Sequence, residues 1–221
     1  MSASRAYREK PIRFAGSVLG AKRHICGFFR TPEEEYQLLL PFIKEGIERG
    51  EKTFHVVDPK RHEDHLRRLK SAGIDVTEAE KRGQFELCNW TQMYLRDGHF
   101  DQDRMLATWR DVLVAAGQRG FPRTRLVAHM EWALEDREGV SDLIEYEARF
   151  NLMHWSDRDP VICTYDLTRF NGDVIMDVLR THPMVILGGV LQESPFFIPP
   201  EQFLQELRER QLREGSPPAE N

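Results

Sequence analysis

The segment that decides the fold class is residues 40–58, which read LPFIKEGIERGEKTFHVVD. It predicts the end of an amphipathic helix, a stop at Gly50 and a strand over residues 53–57, because a run of β-favouring residues is typical of a strand covered on both faces. In nucleotide-hydrolysing α/β proteins, a unit of this kind leads to a glycine-rich phosphate loop. Residues 59–63 contain no glycine. The segment therefore favours binding or sensing over ATP hydrolysis.

The composition predicts one globular domain. With 221 residues the chain can bury a single α/β core, and we expect a lead-in over residues 1–20, one domain over 21–212 and a flexible tail over 213–221. The net charge of −5 disfavours direct binding to nucleic acid or to an anionic membrane. Three widely spaced cysteines and no long apolar run indicate a reducing, cytoplasmic location.

Strand-like and helix-like segments alternate along the chain. The first strand is predicted over His24–Phe29, and Thr31 with Pro32 marks the start of a long helix. Later segments include a strand over residues 125–133 and a helix over residues 141–154. This alternation predicts an α/β fold of three layers, with a mostly parallel sheet covered by helices on both faces.

Candidate binding residues follow from this architecture, because ligands of open parallel sheets bind beyond the carboxyl ends of the strands. Phe28 and Trp132 are expected to form an apolar wall there, as a small-molecule pocket requires. Glu131, Tyr165 and Asp166 would orient a small, partly apolar ligand, and two histidines would add polar contacts. The predicted ligand-binding residues are His24, Cys26, Phe28, Asp58, Glu131, Trp132, Tyr165, Asp166 and His182.

Catalytic and metal-binding signatures are weak in this sequence. Neither G-x-x-x-x-G-K-[ST] nor G-x-S-x-G occurs, so no catalytic residue is predicted. Imidazole and thiol groups lie on or beside nearly every predicted strand, but no spacing matches a metal-ligand signature, and neither a metal nor another cofactor is expected. Two alternatives stay open: a metal- or cysteine-dependent hydrolase that uses Cys26 or Cys163 with His24, and a ligand-free oligomeric interaction protein.

An ordered series of motifs resembles the MEDS family, the sensory domain of DcmR-type regulators in methylotrophs and methanogens. The motifs are HICGFF (24–29), the segment 41–51, GHFD (98–101), MEW (130–132), EYE (145–147) with Asn151, CTYD (163–166) and THP (181–183). This resemblance implies a fold similar to RecA and KaiC with a degenerate nucleotide loop. It also implies a sensor of small molecules, with hydrocarbon derivatives as proposed ligands. The output would pass through a homo-oligomer or a signalling partner such as a kinase or a transcription regulator.

Overall fold

The computed structural model describes residues 11–153 and 158–214. Its strands are β1 (Ile12–Phe14), β2 (Ser17–Leu19), β3 (His24–Phe29), β4 (Lys52–Val57), β5 (Phe85–Asn89), β6 (Thr124–His129), β7 (Val161–Asp166), β8 (Met184–Leu187) and β9 (Val190–Glu193). Its helices are α1 (Pro32–Glu48), α2 (His62–Ser71), α3 (Val76–Lys81), α4 (Gln102–Gln118), α5 (Leu143–Phe150), α6 (Gly172–Thr181) and α7 (Pro200–Glu214). Short 3-10 turns cover Pro59–Arg61, Arg96–Gly98, Met130–Leu134 and Val140–Asp142.

Seven strands form the main sheet in the order β5-β4-β6-β7-β3-β8-β9. All neighbours pair in parallel except β9, which runs antiparallel to β8 as a hairpin. Alternate residues of each strand point to opposite faces. On β3, Cys26 and Phe28 belong to a core with α4, α5 and α6, whereas Ile25 and Phe29 belong to a core with α1, α2 and α3. The predicted three-layer α/β fold is therefore confirmed.

The first turn of α1 follows shortly after β3, an interior strand of the sheet. Thr31 caps the helix by accepting a hydrogen bond from the Glu34 amide at 3.2 Å, and Pro32 occupies the first helical position. After β3 the chain continues through α1 on one face of the sheet, and after β7 it continues through α6 on the other face. Because β3 and β7 are neighbours, the sheet changes winding direction between these two strands. The phosphate loop of a nucleotide-binding relative would thus follow β3. The sequence-based placement after Asp58 is wrong, because Asp58 follows β4, and β6 and β7 lie between β4 and β3 in the sheet.

A buried ion cluster joins α1 to β4 and β6. The Glu51 carboxylate accepts from Arg123 at 2.8 Å and from Nε of Arg125 at 2.5 Å, and both guanidinium groups are almost fully buried. Arg125 also donates to the Phe42 carbonyl at 2.5 Å, and its guanidinium lies 4.5 Å from the centre of the Phe42 ring. Charge-assisted hydrogen bonds of this kind offset the cost of burying the charges.

Several elements differ from the sequence-based expectation. The segment 1–20 contains the β1–β2 hairpin, whose buried Ile12, Phe14 and Leu19 join the α1-side core. Helix α3 and strand β9 were not predicted. β6 ends at His129 and continues as a 3-10 turn instead of a strand to residue 133, and α5 is shorter than the predicted 141–154. Residues 1–10, His154 and most of the predicted tail (215–221) lie outside the described residues. Among the described helices, none combines the length and apolarity needed to cross a bilayer.

Candidate functional site

A narrow crevice opens at the carboxyl edge between β3 and β7, where the sheet changes winding direction. It encloses about 30 Å³ and is lined by charged residues from four elements: Glu35, Arg61, Glu131 and Asp166. That volume accommodates about one water molecule, whereas small-molecule sites enclose roughly 300–1,000 Å³. The crevice is therefore too small for a nucleotide or another organic ligand.

Glu131 is the most perturbed carboxyl group of this crevice. Burial, together with the nearby Glu35 charge, raises the pKa of Glu131 to about 7. One of its carboxylate oxygens has no hydrogen-bond partner among the described residues. Glu35 instead forms an ion pair with Arg61 at 2.5 Å. Burial alone would raise the pKa of Glu35, but His129 and Arg61 outweigh it and hold this pKa below the ordinary value. Glu131 is thus the crevice carboxyl group whose protonation changes near neutral pH.

The two aspartates predicted for this edge hold turns. Asp58 accepts from the Lys60 amide at 2.8 Å and caps the 3-10 turn that follows β4. Asp166 accepts from the amide and the hydroxyl of Thr168, at 2.8 and 2.6 Å. Both lie at the carboxyl edge as predicted. Their local hydrogen bonds explain why these positions carry short carboxylates, independently of any ligand.

A larger cavity of about 630 Å³ lies on the other side of the β3–α1 turn. Phe28 and Phe29 from β3, Leu38 from α1 and Leu187 from β8 make much of its lining apolar. Polar side chains of Arg30, Glu34 and Gln37 also line it, and the Gly188–Gly189 turn closes one side. Its volume and mixed lining suit a small organic molecule. Of the predicted binding residues, Phe28 alone lines this cavity.

Trp132 packs in the protein interior and lines neither cavity. It is 0% exposed, stacks on Tyr94 with ring centroids 4.6 Å apart, and contacts Phe100 at 4.4 Å. The prediction that Trp132 forms the wall of a ligand pocket is therefore wrong, because other aromatic rings already cover its ring. Its contribution is to the core between the sheet and α4–α5.

A second polar site lies away from the carboxyl edge and unites residues from four elements. His24 is the first residue of β3, and His182 lies two residues before the start of β8, so both lie at the amino ends of their strands. The Nε2 atoms of His24 and His182 approach Oε2 of Glu147 at 3.2 and 3.4 Å, and Sγ of Cys163 lies 3.8 Å from Nε2 of His24. The expectation that both histidines serve the carboxyl edge is wrong, because parallel strands place their first residues at the opposite edge.

The electrostatics of this second site depend on complete burial. Burial alone would raise the pKa of Glu147, but His182, His24 and the Tyr165 hydroxyl outweigh it and hold this pKa below its ordinary value. Burial lowers the pKa of His182 to about 3, and His24 adds to this effect. Burial also raises the pKa of Cys163 well above the ordinary thiol value. A neutral, buried thiol is a poor nucleophile, which speaks against the cysteine-dependent hydrolase alternative.

The remaining predicted residues, Tyr165 and Cys26, also turn toward this side of the sheet. The Tyr165 hydroxyl donates to Oε1 of Glu147 at 2.8 Å, so it belongs to the second site through its side chain. Cys26 is the β-sheet register partner of Cys163, and its thiol lies 3.6 Å from the Met184 carbonyl. The nine predicted residues therefore divide between two ends of the sheet and the aromatic core.

A third buried group occupies the opposite face, below α1 and α2. The Tyr36 hydroxyl lies 2.6 Å from Nδ1 of His65, whose Nε2 lies 2.9 Å from Nδ1 of His55. His129 approaches Oε1 of Glu35 at 3.3 Å. Burial lowers the pKa of His55 to about 3 and that of His129 to about 4. These imidazoles are neutral near pH 7 and form a polar layer inside the α1-side core.

The predicted binding residues did not include three side chains that organise these sites, Glu147, Asn151 and Glu35, although Glu147 and Asn151 belong to the family motifs. Glu147 and Asn151 lie one helical turn apart around α5, and such an i,i+4 pair of polar residues beside buried aromatics is a usable signal. Glu35 lies in a run of three glutamates at the start of α1. Acidic residues are favourable in the first turn of any helix, so this pattern did not indicate that Glu35 is buried. Helix periodicity identifies a buried face, but it does not show which strand that face covers.

Comparisons with known proteins agree with this architecture. The family model described as MEDS (methanogen/methylotroph, DcmR sensory domain) matches residues 23–183. The chain is 28% identical over 172 residues to the transcriptional repressor DcmR of Methylorubrum extorquens. The aligned region covers 76% of this chain and 61% of that relative. A KaiC-like protein from Pyrococcus horikoshii superposes with a TM-score of 0.53 at 18% identity, over 74% of this chain and 69% of the other, and this likeness shows the fold. The predicted resemblance is confirmed.

Proposed function

The chain belongs to the MEDS family of sensory domains, and from this premise we propose that it is a regulatory module that senses a small organic molecule without catalysing a reaction. The family assignment supports the sensory role. The relative DcmR is a transcriptional repressor, and this chain spans 61% of its length. We therefore propose that the sensed signal passes to a signalling partner or through a homo-oligomer, in the cytoplasm.

The observation that carries the ligand class is the 630 Å³ cavity at the carboxyl end of β3. Its apolar lining, which includes Phe28, Phe29 and Leu38, supports a partly apolar ligand such as a hydrocarbon derivative. Arg30 and Gln37 would supply the few polar contacts that fix the orientation of such a ligand.

The start of α1 argues against a phosphate-bearing ligand at this edge. A helix N-terminus usually attracts anions through its free amide groups and its dipole. Here Pro32 has no amide hydrogen to offer, and Glu33, Glu34 and Glu35 place three carboxylates in the first turn. A neutral or cationic organic molecule suits this electrostatic environment better than a nucleotide.

A matched pair of variants tests the proposed site. Leu187 and Val190 are paired across the β8–β9 hairpin and are 51% and 53% exposed, but only Leu187 lines the cavity. We expect Leu187→Arg to weaken binding of the neutral apolar probe 1-anilinonaphthalene at least about tenfold, because a charged side chain would enter an apolar lining. Val190→Arg serves as the control and should bind the probe as the parent does.

Displacement of the same probe then identifies the ligand class. A panel of short alcohols, thioethers, amines and alkyl halides is titrated against the probe-loaded parent, with melting curves to show that both variants are folded. The proposal is supported if compounds of one of these classes displace the probe from the parent and from Val190→Arg but not from Leu187→Arg. Equal probe affinity in all three proteins would exclude this cavity as the binding site.

A further inference from the structure

The hydrogen bonds of the two Nδ1 atoms show where His24 and His182 carry a ring hydrogen. Asn151 donates its side-chain amide to the carbonyls of Glu147 and Thr181, at 3.0 and 2.7 Å, so its oxygen must be the atom that faces Nδ1 of His24 at 3.0 Å. An amide oxygen only accepts, so Nδ1 of His24 carries the hydrogen. Nδ1 of His182 faces the Val178 carbonyl at 2.8 Å and carries a hydrogen for the same reason.

In a neutral imidazole with its hydrogen on Nδ1, Nε2 carries a lone pair, and both Nε2 atoms point inward, toward a carboxylate. They approach Oε2 of Glu147 at 3.2 and 3.4 Å, and Sγ of Cys163 completes the group from β7. Oε2 of Glu147 and Nε2 of His182 have no hydrogen-bond partner among the described residues. Four electron-pair donors that converge in a buried interior repel one another unless a proton or a metal cation lies between them.

Three of the six donor separations are close to those of a tetrahedral metal centre. Zinc binds nitrogen and oxygen at about 2.0–2.2 Å and sulfur at about 2.3 Å, which at tetrahedral angles gives N···O separations of about 3.4 Å and N···S separations of about 3.6 Å. The corresponding distances here are 3.2, 3.4 and 3.8 Å, and all four donor atoms lie within 4.8 Å of one another.

We propose that His24, Glu147, Cys163 and His182 form a closed binding site for a divalent transition metal of the zinc type. Two imidazoles, one thiolate and one carboxylate are a donor set for zinc or cobalt, and not for magnesium or calcium, which take oxygen ligands. The Cys163 thiol loses its proton to solvent on binding, since the thiolate is the ligand. This site is separate from the cavity proposed for the organic ligand.

The surroundings supply the outer hydrogen bonds that metal sites require. Histidine ligands usually donate their other ring nitrogen to a carbonyl or carboxylate group, which orients the ring. Here the Asn151 oxygen and the Val178 carbonyl accept from the two rings, and the Tyr165 hydroxyl holds the second oxygen of Glu147. With four protein ligands the site has no open position, so the metal would link β3, β7, α5 and the turn before β8.

Cobalt substitution tests the site directly. The full chain is produced in zinc-depleted medium supplemented with Co²⁺, and its metal content and absorption spectrum are recorded. We expect stoichiometric cobalt, with visible bands of tetrahedral intensity and a thiolate-to-cobalt charge-transfer band in the near ultraviolet. Added Zn²⁺ should remove both sets of bands from the spectrum.

The sheet offers a matched control, because Cys26 and Cys163 are paired in register and are both buried. Cys163→Ser should abolish the charge-transfer band, whereas Cys26→Ser should keep it. Glu147→Gln provides a second variant, expected to lower the cobalt content at least about tenfold while the far-ultraviolet circular dichroism stays that of the parent.

Two results would overturn the proposal. One is metal-free parent protein with no cobalt bands after growth with Co²⁺. The other is a charge-transfer band that persists in Cys163→Ser or disappears in Cys26→Ser. Binding of the anilinonaphthalene probe reports the cavity at the other end of β3, so the failure of either proposal leaves a distinct signature.

Discussion

Glu131→Gln isolates the energetic effect of the perturbed carboxyl group in the crevice. The folded chain holds the pKa of Glu131 at about 7, against an ordinary value of 4.5 that applies when the chain is unfolded. Below the unfolded pKa both states are protonated and the group costs nothing. As the pH rises through the folded pKa, the unfolded state releases its proton more readily, and stability is lost. Integration of this linkage from about pH 5 to about pH 8 gives a loss of about 2.5 kcal/mol.

Glutamine has a similar shape and does not titrate, so the variant should be spared this loss. Urea unfolding, followed by tryptophan fluorescence at about pH 5 and about pH 8, gives the free energy of unfolding of both proteins. We expect the variant to gain about 2.5 kcal/mol on the parent over this range, whatever constant offset the new amide introduces. Glu138→Gln, at an exposed position nearby, is the control. Parallel pH profiles for parent and Glu131→Gln would refute the assigned pKa and its cause.

Three further predictions concern the interior. Trp132→Ala should lower the free energy of unfolding by about 3–5 kcal/mol in urea titrations, because it opens a cavity in the aromatic core; a loss below about 1 kcal/mol would contradict this packing. Glu51→Ala removes the carboxylate that Arg123 and Arg125 share and should cost about 3–5 kcal/mol in the same assay, and a neutral effect would show that the cluster does not stabilise the fold. His55→Phe should reduce acid sensitivity. With a folded pKa of about 3, His55 makes the parent lose about 2.5 kcal/mol between about pH 6 and about pH 4, and identical acid profiles would contradict its burial as a neutral group.

The fold class was predictable because strand and helix periodicities alternate clearly along the chain. Strand β3 was predicted with its observed bounds, since HICGFF is short, apolar and followed by a strong helix start. The hairpin partner β9 is only four residues long and has one buried position, so its pattern does not differ from that of a loop. Helix α3, at six residues, is likewise too short to show a helical period.

The site was harder to predict because residue types do not reveal partners. His24 and His182 were chosen together, and their rings do lie 4.0 Å apart, but at the amino ends of their strands. Glu147 was left out of the binding set because nothing in the sequence shows that α5 covers the start of β3. Trp132 illustrates the reverse case: an aromatic residue after a strand can serve a pocket or the core, and only its neighbours decide which.

The interior position of β3 in the sheet has a consequence for how the chain folds during synthesis. This strand is the first of the main sheet to leave the ribosome, yet its neighbours β7 and β8 are among the last three strands: Cys163 contacts His24 across 139 residues. At about 5–20 residues per second, β3 waits about 7–28 s with both edges unpaired. An apolar strand in that state is open to aggregation and to chaperones. Completion of the sheet is therefore expected to follow translation, and N-terminal fragments that end before β7 should fail to form a stable domain.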